Sequence, residues 1–101
     1  MKIQILPAVN QFVFSLDESI IAKVLRTIDL LERFGNQLQL PHSKSVGHRL
    51  FELRIHGRQE IRIFYGYYEN RAILLHGLIK KSNKIPKHEL STAYSRFKDL
   101  T

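Results

Sequence analysis

Apolar and polar positions change period along the chain, and each change marks an element. Residues 1–7 are apolar for only a short distance and read as a first strand. Pro7 then opens a short helix burying Phe12 and Val13, since a missing N–H is no loss at the first helical position. Ile21, Val24, Leu25, Ile28, Leu31 and Phe34 recur at three- and four-residue spacing and predict a helix over 18–34. Asp17 is its N-cap, Glu18 lies in its positive first turn and Gly35 ends it. Lys23, Arg26, Asp29 and Arg33 are left toward water.

Residues 35–49 lack periodicity and hold Gly35, Asn36, Pro41, Ser43, Ser45 and Gly47, so a loop is expected there. Alternation at period two comes next, predicting strands over 50–56, 61–68 and from Ala72 to the paired Lys80 and Lys81. Gly57-Arg58 and Glu69-Asn70-Arg71 supply the turns. A last helix from Pro86 would bury Leu90, Ala93, Tyr94 and Phe97 on the core. The order β-α-α-β-β-β-α argues an α+β fold, a small antiparallel meander with helices packed on one face. With 101 residues, 44% of them hydrophobic, a single domain over 1–101 is expected.

Charge divides the chain unevenly. Lys2, Lys23, Arg26 and Arg33 balance Asp17, Glu18, Asp29 and Glu32 in the first forty residues, leaving twelve Lys or Arg against five Asp or Glu from Pro41 onward. The whole formal net charge of +7 therefore sits in the sheet and the tail, which suits nucleic acid or another acidic partner. There is no cysteine, which excludes disulfides, thiolate metal sites and thiol nucleophiles and fits a cytoplasmic protein. No apolar run approaches the ~20 residues that span a bilayer, so no membrane partner is expected.

Two strands aim their charges at one face. Phe51, Leu53 and Ile55 oppose Glu52, Arg54 and His56; Ile61, Ile63, Tyr65 and Tyr67 oppose Arg62, Phe64, Gly66 and Tyr68. With the first set of each strand in the core, Arg54 and Arg62 share the outer face. A loop of Gly57-Arg58-Gln59 sets them directly across from one another, where like charges repel unless an anion sits between them. The commoner arrangement is blander: Glu52 or Glu60 neutralises the arginines on a solvated face. The last strand is apolar on both sides, so either Lys80 or Lys81 shares the arginine face.

The histidines show no zinc spacing, and no metal or other cofactor is expected. His76, inside an apolar strand, reads as a hydrogen-bonded core residue, and Tyr94 as packing. His88, beside Lys87 at the start of the last helix, is the histidine placed for proton transfer. Phe64 or Tyr68 beside Arg62 could stack on a base. No Gly-rich phosphate loop or nucleophile elbow occurs.

Leu50-Phe-Glu-Leu-Arg54, Arg62-Ile-Phe-Tyr65, Leu75-His-Gly-Leu-Ile-Lys80-Lys81-Ser-Asn-Lys84-Ile-Pro86 and a following helix with Glu89 and Ala93 closely resemble the phage-derived HigB-like branch of the RelE/ParE toxin superfamily. The resemblance implies a compact ribonuclease-type fold with helices on one sheet face and a basic groove on the other. It further implies a type II toxin that cleaves messenger RNA on the ribosome, without metal, by attack of the ribose 2′-OH on the adjacent phosphate. Arg62 matches the strand arginine at the scissile phosphate, Arg54 the Glu-Leu-Arg position, and Lys80 or Lys81 the basic residue at the end of the last strand. Lys44, Arg49, Arg58, Phe64, Lys84 and Lys87 are the residues expected to hold RNA around them. Where RelE-type enzymes place an acid–base tyrosine this chain offers Leu90, which leaves His88 as the proton-transfer candidate. A helix-turn-helix antitoxin, joined in a hetero-oligomer, is the implied partner. The same superfamily contains ParE-like inhibitors of DNA gyrase, in which the catalytic cations are typically missing; a non-catalytic RNA-binding module is the third alternative.

Overall fold

A computed structural model describes residues Met1–Thr101. The elements run β1 (Lys2–Ile5), α1 (Pro7–Phe14), α2 (Glu18–Phe34), a 3-10 turn (Gly35–Gln37), β2 (Ser43–Gly47), β3 (Leu50–Ile55), β4 (Glu60–Tyr68), β5 (Arg71–Lys80) and α3 (Lys87–Leu100). One five-stranded sheet has the order β1-β5-β4-β3-β2, antiparallel throughout except where β1 runs parallel to β5. This is the expected α+β order with one strand added. Ser43–Gly47 was expected to be loop and is instead β2, an edge strand paired to β3. Its residues are mostly small or polar and its register shifts between Ser45 and Gly47, so no alternation announces it.

The α1/α2 face carries the main core. Val9 and Val13 of α1 and Ile20, Val24, Ile28 and Leu31 of α2 pack on Leu53, Ile55, Ile61, Ile63, Tyr65 and Leu74. The bounds of α2 match the expectation, but its buried stripe is rotated. Ile20 and Thr27 are buried, whereas Leu25 and Phe34 are 43% and 46% exposed. Thr27 tolerates burial because its hydroxyl donates to the Lys23 carbonyl at 2.9 Å. Asp17 precedes the helix without capping it through its side chain; its carboxylate pairs with Arg58 instead.

The third helix does not join the other two, contrary to the expectation that the helices share one face. Ala93 and Phe97 of α3 pack on Leu50, Phe64, Ile73, Leu75 and Leu78, the opposite parity of the strands. Gly66 makes this possible, since a Cβ there would stand 2.8 Å from the Phe97 ring. Tyr94, expected on the buried stripe, is 41% exposed and lies beside the His48 ring.

A bulge in β5 exchanges the two faces of that strand part-way along it. Phe64 pairs with His76 and Tyr65 with Leu74, leaving Leu75 as the extra residue. Before the bulge the odd-numbered Ile73 and Leu75 belong to the α3 face; beyond it the even-numbered Leu78 does, and Ile79 turns to the main core.

Candidate functional site

Alternation and turn geometry together place the site. Arg54 pairs directly with Arg62 across β3 and β4, as the three-residue loop requires. On β5 the bulge brings Lys80 opposite Glu60, on the arginine face. The strand ends there, and Lys81 falls outside the groove, so parity after the bulge separates the two lysines that alternation alone leaves equivalent. The groove is a hollow of about 300 Å³ between the sheet and the start of α3. Lys44, Arg54, Lys80 and Lys87 face a single carboxylate, Glu52, across a floor containing Val46, Phe64, Ile85 and Leu90, with Asn83 at the edge.

Beneath that surface lies a chain of alternating charges. Oε1 of Glu52 stands 3.3 Å from Arg54 Nε and 3.5 Å from Arg62 Nε. Both Nε–H groups are within ion-pair reach of the carboxylate yet neither is aligned for a hydrogen bond. Arg62 donates through its terminal nitrogens to the Ile61 carbonyl at 3.0 Å and to Glu60 at 3.2 Å. Glu60 in turn meets His56 Nδ1 at 2.8 Å and accepts from the Gly57 N–H. Burial opposes the charge on Glu60, but hydrogen bonds from His56, Gly57 and Arg62 outweigh it and hold the carboxyl below its ordinary value. On the other face, burial pushes the Tyr65 hydroxyl up despite its hydrogen bond to Ser43, so that group serves packing.

Arg62 thus departs from its expected place on an open outer face. Its side chain is 2% exposed and bound to two carboxylates, so it supports the groove from below and touches nothing inside it in this conformation. Arg54, 24% exposed, is the arginine that reaches the surface. Glu52 and Glu60, the two acids placed to neutralise these arginines, are both engaged, but the face they neutralise is buried around Arg62. Phe64, 1% exposed, is floor and cannot stack on a base.

The remaining expected residues scatter. Arg49 caps the Phe97 ring at 5.4 Å from the β2–β3 turn, where His48 and Arg49 both hold positive φ. Arg58 is tied to Asp17 at the head of α2 and is not part of the groove lining. Lys81, Lys84 and His88 line an adjoining hollow at the β5–α3 connection, which shares Lys80 and Ile85 with the groove. His88 lies 3.3 Å from Glu89 and is 77% exposed, outside the groove. His76 is hydrogen-bonded as expected, to Glu89 across the β5–α3 contact. Asn83 is a polar groove residue for which the sequence carried no signal; Glu52 was expected only to neutralise the arginines on a solvated face and instead lines the groove. No three His, Asp or Glu side chains form a metal-holding group.

A family model describing phage-derived Gp49-like proteins (DUF891) matches residues 11–98, from α1 to the last turn of α3. The chain belongs to this family. Gp49-like proteins fall within the RelE/ParE toxin superfamily, so membership points to a RelE/ParE-type toxin and implies a cognate antitoxin. No curated protein matches the chain. No helix is long and apolar enough to cross a membrane.

Proposed function

We propose that this toxin is an endoribonuclease of the HigB-like branch that cleaves messenger RNA on the ribosome and is held inactive by a helix-turn-helix antitoxin. The carrying observation is the convergence of Lys44, Arg54, Lys80 and Lys87 on one hollow against the single carboxylate of Glu52. Attack of a ribose 2′-oxygen on the adjacent phosphorus, its proton passing to water, forms the 2′,3′-cyclic phosphate and breaks the bond to the 5′-oxygen of the next nucleotide, which leaves as a hydroxyl after taking a proton from water. Negative charge gathers on the phosphoryl oxygens as it does so, and preorganised cationic donors stabilise it without reorganising. Arg54 and Lys80 are assigned to those oxygens, Lys44 and Lys87 to the flanking backbone. Arg62 is a positioning residue: through Glu52 it holds Arg54 at the groove.

Purified toxin is to be incubated with ribosomes programmed with mRNA and, separately, with gyrase and supercoiled DNA. Cleavage of the mRNA, leaving cyclic or 3′-phosphate ends, is expected. Blocked supercoiling with intact mRNA would move the toxin to the gyrase-inhibiting class. One observation favours a second reading: two carboxylates neutralise Arg62, as in a binding surface that needs no chemistry. Retention of mRNA without any cleavage would establish that reading.

A further inference from the structure

The groove is not the only place where cations converge. On α2, Lys23, Arg26 and Leu30 recur at helical spacing on the side facing the C-terminal end of β3, and His42 and His56 close the gap from the other side. The resulting hollow, about 300 Å³, contains no carboxylate in its lining. Neither Lys23 nor Arg26 enters any ion pair of the molecule, whereas the neighbouring Arg58 is already bound to Asp17. Lys23 reaches over the β3–β4 turn, where a Cβ on Gly57 would stand 2.7 Å from its ammonium nitrogen. Two like charges one helical turn apart disfavour each other unless an anion lies between them.

Arg54 lines this hollow and the groove alike. A single flexible chain carrying regularly spaced negative charge therefore finds a cation at each stage from Lys80 and Lys44, past Arg54, to Lys23 and Arg26. An acidic protein segment fits less well, because protein interfaces are anchored by apolar side chains in pockets. Here only Leu30 and Ile55 are apolar. We propose that the hollow between α2 and the C-terminal end of β3 is a second phosphate-binding subsite that holds the backbone of single-stranded RNA as it leaves the groove. The inference rests on the ribonuclease reading only for the identity of the polymer.

The test is the salt dependence of oligouridylate binding, measured by fluorescence anisotropy on the whole protein. For native protein, Lys23→Ala/Arg26→Ala and a charge-matched control, Lys2→Ala/Lys98→Ala, log K is tracked against log salt. The first pair should flatten the slope by about 1.4, two phosphates at about 0.7 each on a single strand. The control pair should leave it as in the native protein, and Lys23→Arg/Arg26→Lys should restore it. Equal flattening by both pairs, or no salt-dependent binding by native protein, would overturn the subsite. Displacement of the oligonucleotide by polyglutamate, with the same dependence on Lys23 and Arg26, would replace RNA by an acidic protein segment. All four residues are exposed, so these variants should fold. Cleavage on programmed ribosomes is read separately: its absence sinks the nuclease and leaves the slope measurement standing.

Discussion

The two faces of the sheet use the same strands and are finished by different physics. Toward α1 and α2, successive inward positions of β3 and β4 are apolar: Leu53, Ile55, Ile61, Ile63 and Tyr65. Toward α3 the apolar cluster ends at Phe64 and Leu78, and Arg62, the next position along β4, has Glu52 and Glu60 as its partners. Hydrophobic burial is non-directional and completes a scaffold; charge pairing is directional and aims donors at one spot. The contrast teaches that α3 sets the boundary between scaffold and site. Where Phe97 sits on Gly66 the face is core, and beyond the helix start it becomes the groove.

The sharpest way to break this contrast is to remove the charge that stands where the other face would have an aliphatic residue. Arg62→Ala should lower the free energy of unfolding in urea by about 3–5 kcal/mol, because it leaves Glu52 buried beside one partner instead of two. Leu53→Ala on the scaffold face should cost about 2–5 kcal/mol while the folded fraction cleaves at the native rate. A loss at Arg62 well below that at Leu53 would mean the ion network does not hold its face together.

Phe97→Ala tests the boundary itself. A cost of about 3 kcal/mol is expected, with α3 amides losing protection from hydrogen exchange while β3 and β4 keep theirs. Uniform loss of protection would make α3 part of the scaffold. At the groove surface, Arg54→Ala should slow mRNA cleavage at least ~100-fold, the scale of one preorganised donor to a developing oxyanion. Its effect on stability should be smaller than that of Arg62→Ala. The two lysines should then differ, Lys80→Ala slowing cleavage more than Lys81→Ala; equal losses would replace the groove by a diffuse electrostatic surface.

The smallest expected effect is Glu60→Gln. The folded carboxyl titrates below its ordinary value of 4.5, so its contribution to stability is whole above that value and is lost as pH falls through the folded one. The variant should show a shallower fall in unfolding free energy with acid below 4.5. An unchanged acid limb would take Glu60 out of the network.

What the sequence determined by itself is what short-range geometry controls. The span of α2 came from its helical period and Gly35, and the face-to-face Arg54 and Arg62 from alternation plus an odd loop. Both depend on residues a few positions apart. What only tertiary structure decided is what another element covers or displaces. Arg62 has the alternation of an exposed residue and is nevertheless buried, paired with Glu52 of the neighbouring strand and Glu60 of its own. The bulge at Leu75 chose Lys80 over Lys81, and nothing in an apolar run records an extra residue that its partner strand does not match. In the same way, the neutral first forty residues hid Lys23 and Arg26, which only the packing of α2 beside the end of β3 brings to Arg54, in a hollow with no acid in its lining. Net charge along a chain averages over sequence, whereas a ligand meets the charges that distant segments bring together.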